Sequence, residues 1–149
     1  MEPTRGQRGE ILRRQHEGLR ATIDMARTAA KKALAPGGPA WEVQLAVRTL
    51  QRELLAHLAD EERLLEPILA TVDAWGPVRL GLLQAEHAHQ RAVLSILTDQ
   101  GTWPAARVVA GRMLALCEDL LTDMDFEERE LLNEKILRDD PILLDASDA

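Results

Sequence analysis

At 149 residues the chain is long enough to bury a sizeable core within one domain. Its 25 acidic against 18 basic residues leave a net charge of -7, which argues against a nucleic-acid or anionic-membrane partner. An aromatic content of 3% without any Tyr removes the base-stacking platforms of single-strand binders.

The N-terminal MEPTRGQRGE is charged and no hydrophobic region follows it, so no secretory signal or membrane span is expected and the cytoplasm is the expected location. The lone Cys117 permits no intrachain disulfide, which fits a reducing compartment, and in MLALCEDLL it reads as a small core residue. The first predicted helix runs from Arg5 to Leu34 and ends at the turn residues APGGP. Its inward seam, at alternating steps of three and four, is Leu12, His16, Leu19, Ile23, Ala26 and Ala30.

The second predicted helix spans Ala40 to Val72, up to the WGP turn, with the seam Val43, Leu50, Leu54, His57, Glu61, Leu64 and Ile68. The third, Val78 to Gln100, turns Leu80, Leu83, His87, Leu94 and Leu97 inward, with Gln90 between them. After GTWP the fourth covers Ala105 to Leu137, with Val109, Met113, Leu116, Leu120, Asp123, Glu127 and Leu131. Pro77 and Pro104 stand where a first helical turn tolerates proline. A short tail from about residue 138 is expected to leave the helix at Pro141. Four helices of similar length on short connections, without strand signals, predict an all-α, up-down-up-down antiparallel four-helix bundle filling residues 1–149. Trp41, Trp75 and Trp103 fall near the connections, where amphipathic rings cap a bundle's ends.

Every seam is interrupted by groups that bind metals. In LLTDMDFEERELL a competing stripe, Leu121, Met124, Glu128 and Leu131, would leave Asp123 and Glu127 on a solvated face. The remaining helices favour the inward reading. Three seam carboxylates, Glu61, Asp123 and Glu127, accompany three imidazoles, His16, His57 and His87, and burying an unpaired carboxylate costs several kcal/mol. The seams around these positions contain no arginine, and one or two metal ions would satisfy all six groups. His57 with Glu61 and Asp123 with Glu127 are four apart, one turn along a single face. The chain also echoes itself: HLADEERLL matches DMDFEERELL, and RRQHEGLRATI matches QAEHAHQRAVL. His89, about 200° around the helix from His87, is expected at the surface.

The ordered set His16, His57-x-x-x-Glu61, Glu86-His87, Asp123-x-x-x-Glu127 resembles the hemerythrin-like (HHE cation-binding) family over nearly the whole chain. The resemblance implies a non-haem centre of two iron ions, with His16 and His57 serving one ion, His87 and Asp123 the other, and Glu61 and Glu127 bridging. Asp123 stands where the family pattern has histidine, which makes the site richer in oxygen and opens it to manganese or zinc. Oxygen carriers add a histidine one turn after His87, where this chain has Arg91. Glu53 and Glu86 resemble the extra carboxylates beside the irons of the family's repair proteins; exposed helix carboxylates are the plainer reading.

The resemblance implies binding or sensing of dioxygen, nitric oxide or iron, as a monomer or homodimer. The alternatives are a di-iron or manganese enzyme reducing oxygen or peroxide, and a metal-free helical adaptor whose site has decayed at Asp123. No catalytic residue can be assigned from the sequence.

Overall fold

The computed structural model describes residues 1–99 and 106–139. Five helical elements follow one another: α1 (Arg5–Leu34), α2 (Trp41–Leu64), the one-turn α3 (Glu66–Leu69), α4 (Gly76–Thr98) and α5 (Ala106–Glu130). There is no strand among the described residues, and no helix there is long and apolar enough to cross a membrane. α1 lies against α2 and α5, α4 lies against the same two, and α2 and α5 also meet across the bundle. This is the expected all-α four-helix bundle.

Local chemistry sets the ends. Thr4 opens α1 with a capping box: its hydroxyl accepts from the Gln7 amide at 3.2 Å, and Gln7 Oε1 accepts from the Thr4 amide at 2.9 Å. The α1–α2 turn needs Gly37 in the left-handed region (φ 72°). It also needs Gly38, where a Cβ would stand 1.7 Å from the Lys32 carbonyl oxygen. Gly76 lets α4 start against α3, because a Cβ there would meet the Leu69 carbonyl oxygen at 1.9 Å.

Two expected helices are shorter than the sequence suggests. The second ends at Leu64 rather than Val72, and after a break at Leu65 Pro67 sits in the first turn of the separate α3. The fourth ends at Glu130 rather than Leu137. There the amides of Leu131 and Leu132 both donate to the Glu127 carbonyl at 2.8 Å, and the Asn133 side chain takes over as a local acceptor for the amides of Lys135 and Ile136. Residues 131–137 still bury Leu131, Leu132, Ile136 and Leu137. The expected tail beyond Asp139, including Pro141, and the third tryptophan, Trp103, lie outside the described residues; Trp41 and Trp75 are exposed near helix ends.

The apolar seams build two separate clusters. One contains Leu19, Ile23, Leu50, Leu54, Leu94, Met113 and Leu120, and the other contains Leu12, Leu64, Leu69, Leu83, Leu131 and Ile136. Between them runs a layer of buried polar side chains: His16, His57, Glu61, His87, Gln90 and Glu127. Along α5 and just past its end the two candidate stripes merge, with Leu120, Met124, Glu127 and Leu131 buried and Asp123, Leu121 and Glu128 half-buried. On the same helix Ala110 is buried while Val109 is half-buried.

Candidate metal centre

The polar layer gathers at one height of the bundle because each helix presents its polar seam residue there. His16, His57, Glu61 and Glu127 each offer an atom, and these atoms lie within 4.8 Å of one another. His16 Nε2 stands 3.1 Å from His57 Nε2, 3.1 Å from Glu127 Oε2 and 3.6 Å from Glu61 Oε1. Glu61 is the hub: Oε1 lies 3.0 Å from His57 Nε2, and Oε2 lies 2.7 Å from His87 Nε2. His16 and Glu61 are fully buried.

Sequence reasoning missed what holds the imidazoles. Each turns Nε2 inward and its Nδ1 toward an acceptor outside the cluster. His57 Nδ1 donates to Gln15 Oε1 at 2.7 Å, His87 Nδ1 donates to Glu62 Oε1 at 3.1 Å, and His16 Nδ1 lies 3.5 Å from Glu128 Oε1. Arginines clamp two of those acceptors, Arg91 on Glu62 at 2.5 Å and Arg20 on Glu128 at 2.9 Å. Gln15 is in turn tied to Asp60, its amide donating at 2.6 Å. Such outer acceptors fix ring orientation and raise the basicity of the inward nitrogen. Arg91, where oxygen carriers have a histidine, therefore reaches outward to Glu62.

The echoed words now acquire a meaning. His16-x-x-x-Arg20 and His87-x-x-x-Arg91 place an arginine one turn after each imidazole, and the second glutamate of each Glu-Glu-Arg, Glu62 or Glu128, stands between an arginine and a histidine of the other half. The two halves of the chain build the same outer clamp twice.

The electrostatics are those of buried carboxylates that draw protons onto the imidazoles. Burial opposes charging of His16, but Glu127 and Glu61 outweigh it and raise its pKa to about 9. Burial likewise opposes charging of His87, and Glu61 and Glu62 raise its pKa. Against the burial that would neutralise it, Glu61 is held well below the usual carboxylate range by His16, His57 and His87. Burial and then repulsion from Glu61 push Glu127 up to about 7. Arg91 lowers Glu62, and Arg20 lowers Glu128. Four buried polar atoms at the layer, His16 Nδ1, Glu61 Oε1, Gln90 Oε1 and Glu127 Oε2, lack a partner with hydrogen-bond geometry. Two buried carboxylates with unpartnered oxygens beside inward imidazole nitrogens fit a metal ion, which would draw on those electron pairs.

The remaining expected positions divide. Asp123 is half-buried at the edge of the layer and accepts from the Gln90 amide at 3.0 Å. Glu86 is also half-buried, and burial, then the charges of Glu127 and Asp123, push its pKa up to about 10. Glu53 instead accepts from the Thr22 hydroxyl. His89 is exposed, 3.9 Å from Asp119. Cys117 is buried beside the Ile23 carbonyl, and burial pushes its thiol up to about 11. On the core side of the cluster, a cavity of about 10 Å³, the size needed for one water-sized molecule, is walled by Leu19, Ile23, Leu54, Leu58, Leu120 and Met124. His57, Glu61, Gln90, Asp123 and Glu127 supply its polar side.

Neither a curated protein nor a solved structure matches the chain significantly. The family model for the hemerythrin HHE cation binding domain matches residues 9–136, the stretch that carries the whole polar layer, and the chain belongs to that family.

Proposed function

We propose that the chain holds a non-haem di-iron centre and uses it to bind or sense a small ligand, dioxygen or nitric oxide. The observation that carries this reading is the set of unpartnered buried carboxylate oxygens facing inward imidazoles. His16 and His57 would hold one ion and His87 and Asp123 the other, with Glu61 and Glu127 between them; manganese or zinc would suit the same donors less specifically. The split of Glu61 supports its bridging role, one oxygen toward His57 and the other toward His87. Bound iron supplies a redox-active centre with room for an exchangeable ligand.

The chain's own residues do the rest. Gln15 and Glu62 orient the His57 and His87 rings, and the cavity beside them, lined largely by aliphatic side chains, has room only for a small molecule. An enzyme reducing oxygen or peroxide is the second reading, favoured by the carboxylate that Asp123 adds at the edge of the layer. A metal-free adaptor fits less well, because protonated imidazoles, His16 above all, would then be left to offset the burial of Glu61 and Glu127 on their own.

Anaerobic reconstitution with ferrous iron, followed by metal analysis and titration with nitric oxide, tests the reading. Two irons per chain and a nitrosyl absorption band are expected. Substoichiometric iron after reconstitution would overturn it.

A further inference from the structure

Two of the three inward imidazoles turn Nδ1 toward a carboxylate, His87 toward Glu62 and His16 toward Glu128. An ionised carboxylate only accepts, so neither contact is ambiguous: Nδ1 carries the proton and Nε2 keeps its lone pair for a metal. His57 is different, because its Nδ1 meets the side-chain amide of Gln15, 2.7 Å away. An amide has a donor end and an acceptor end. Turned over, Gln15 would present its donor end to Nδ1 and move the ring proton to Nε2, the nitrogen that faces Glu61 and His16. That nitrogen would then be closed to a metal.

What decides the orientation of Gln15 stands on its far side. Its amide nitrogen donates to Asp60 Oδ2 at 2.6 Å, and the other oxygen of Asp60 accepts from Arg63 at 3.0 Å. Facing a carboxylate, Gln15 can only donate, which leaves Oε1 for His57. Every proton in the relay therefore points toward Asp60. Gln15 adjoins His16 on α1 and Asp60 adjoins Glu61 on α2, so the relay crosses between the two helices that supply those ligands.

Building on the metal-centre reading above, we propose that Asp60 is a positioning residue: through Gln15 it holds the His57 proton on Nδ1 and keeps Nε2 free to bind a metal ion. Asp60 is not itself a ligand. Its effect reaches the ion through two hydrogen bonds, and it rests on their direction, which a change of polarity at either end of the relay would reverse.

Asp60→Asn keeps the shape and tests the direction. Arg63 only donates and takes the single oxygen of the new amide, so that amide turns its donor end to Gln15, and Gln15 must turn its own donor end to His57. The zinc affinity of the full-length protein, measured by competition with a chromophoric chelator, should fall at least about 10-fold. The double variant Gln15→Glu with Asp60→Asn exchanges amide and carboxylate at unchanged net charge. Its carboxylate again accepts from His57 Nδ1 and the amide now donates to that carboxylate, so the affinity should return to that of wild type. Proton–nitrogen correlation spectra of zinc-loaded wild type should place the His57 proton on Nδ1, a readout that needs no variant and that loosened packing would not move. Unchanged zinc affinity in Asp60→Asn, a double variant no tighter than the single one, or a His57 Nδ1 without its proton would overturn the proposal and leave the metal-centre reading standing. Wild type that holds neither zinc nor ferrous iron would overturn both.

Discussion

Raising the pH of chelated protein from 6.5 to 9 should destabilise it, by an amount that His16 alone makes large. The folded pKa of His16 is about 9 against a usual 6.5, so its contribution is fully present below 6.5 and is lost as the pH rises through 9. That gap, at about 1.4 kcal/mol per pH unit, is worth about 3.5 kcal/mol. For a domain of this size it corresponds to a fall in melting temperature on the order of 7–14 °C. His87 and Glu86 are shifted in the same direction and add to the fall, whereas the loss from Glu127 is nearly complete by pH 7. Glu61, Glu62 and Glu128 are held low, so their contributions are lost only as the pH drops below the usual carboxylate range. Thermal unfolding followed by far-UV circular dichroism, with and without metal, reads the effect. In the metal-loaded protein the ion takes the place of the protons, and the melting temperature should hold or rise over the same window. A chelated protein whose melting temperature is level or rises from pH 6.5 to 9 would refute the argument that Glu61 and Glu127 are buried against His16 without a resident cation.

Arg91→Ala should weaken metal affinity about 10-fold by releasing Glu62 from His87, while the chelated protein keeps its stability to within about 0.5 kcal/mol; titration calorimetry and thermal melts separate the two. Glu61→Gln should abolish metal retention and shrink the alkaline fall of the chelated protein, because both His16 and His87 lose a charged partner, and metal analysis with pH-resolved melts checks it. Leu50→Ala, in the apolar cluster on the Leu19 side of the layer, should cost about 2–5 kcal/mol in denaturant unfolding without changing metal content at low temperature. His89→Ala, at the surface, should alter neither metal content nor melting temperature.

The bundle was legible because leucine and alanine recur along each helix at steps of three and four, and the structure buries nearly all of those positions. The helix ends were less so. Pro67 and Asn133 each stop a helix whose apolar periodicity runs on, since Leu69 and Ile136 remain buried in non-helical or separate turns. The inward polar residues stood out by interrupting apolar seams. Gln15, Glu62 and Glu128 did not, because a polar residue beside a seam looks like any solvated one. Their signal lay in the repeated Glu-Glu-Arg and His-x-x-x-Arg words, whose partners are more than 20 residues away in the chain: Arg91 with Glu62, and Arg20 with Glu128. Only the folded neighbours could give those words a role.

Those arginine clamps also bear on how the helices slide. Arg20 ties α1 to α5 through Glu128, and Arg91 ties α4 to α2 through Glu62. Two faces of leucine and alanine tolerate a slip, since a one-turn shift of about 5.4 Å brings apolar against apolar again. The same slip here would separate both arginines from their glutamates and carry His16 and His87 away from Glu61. Every misaligned bundle would leave several charges buried without partners, so the polar layer selects one alignment of the four helices from many that the hydrophobic pattern alone would allow.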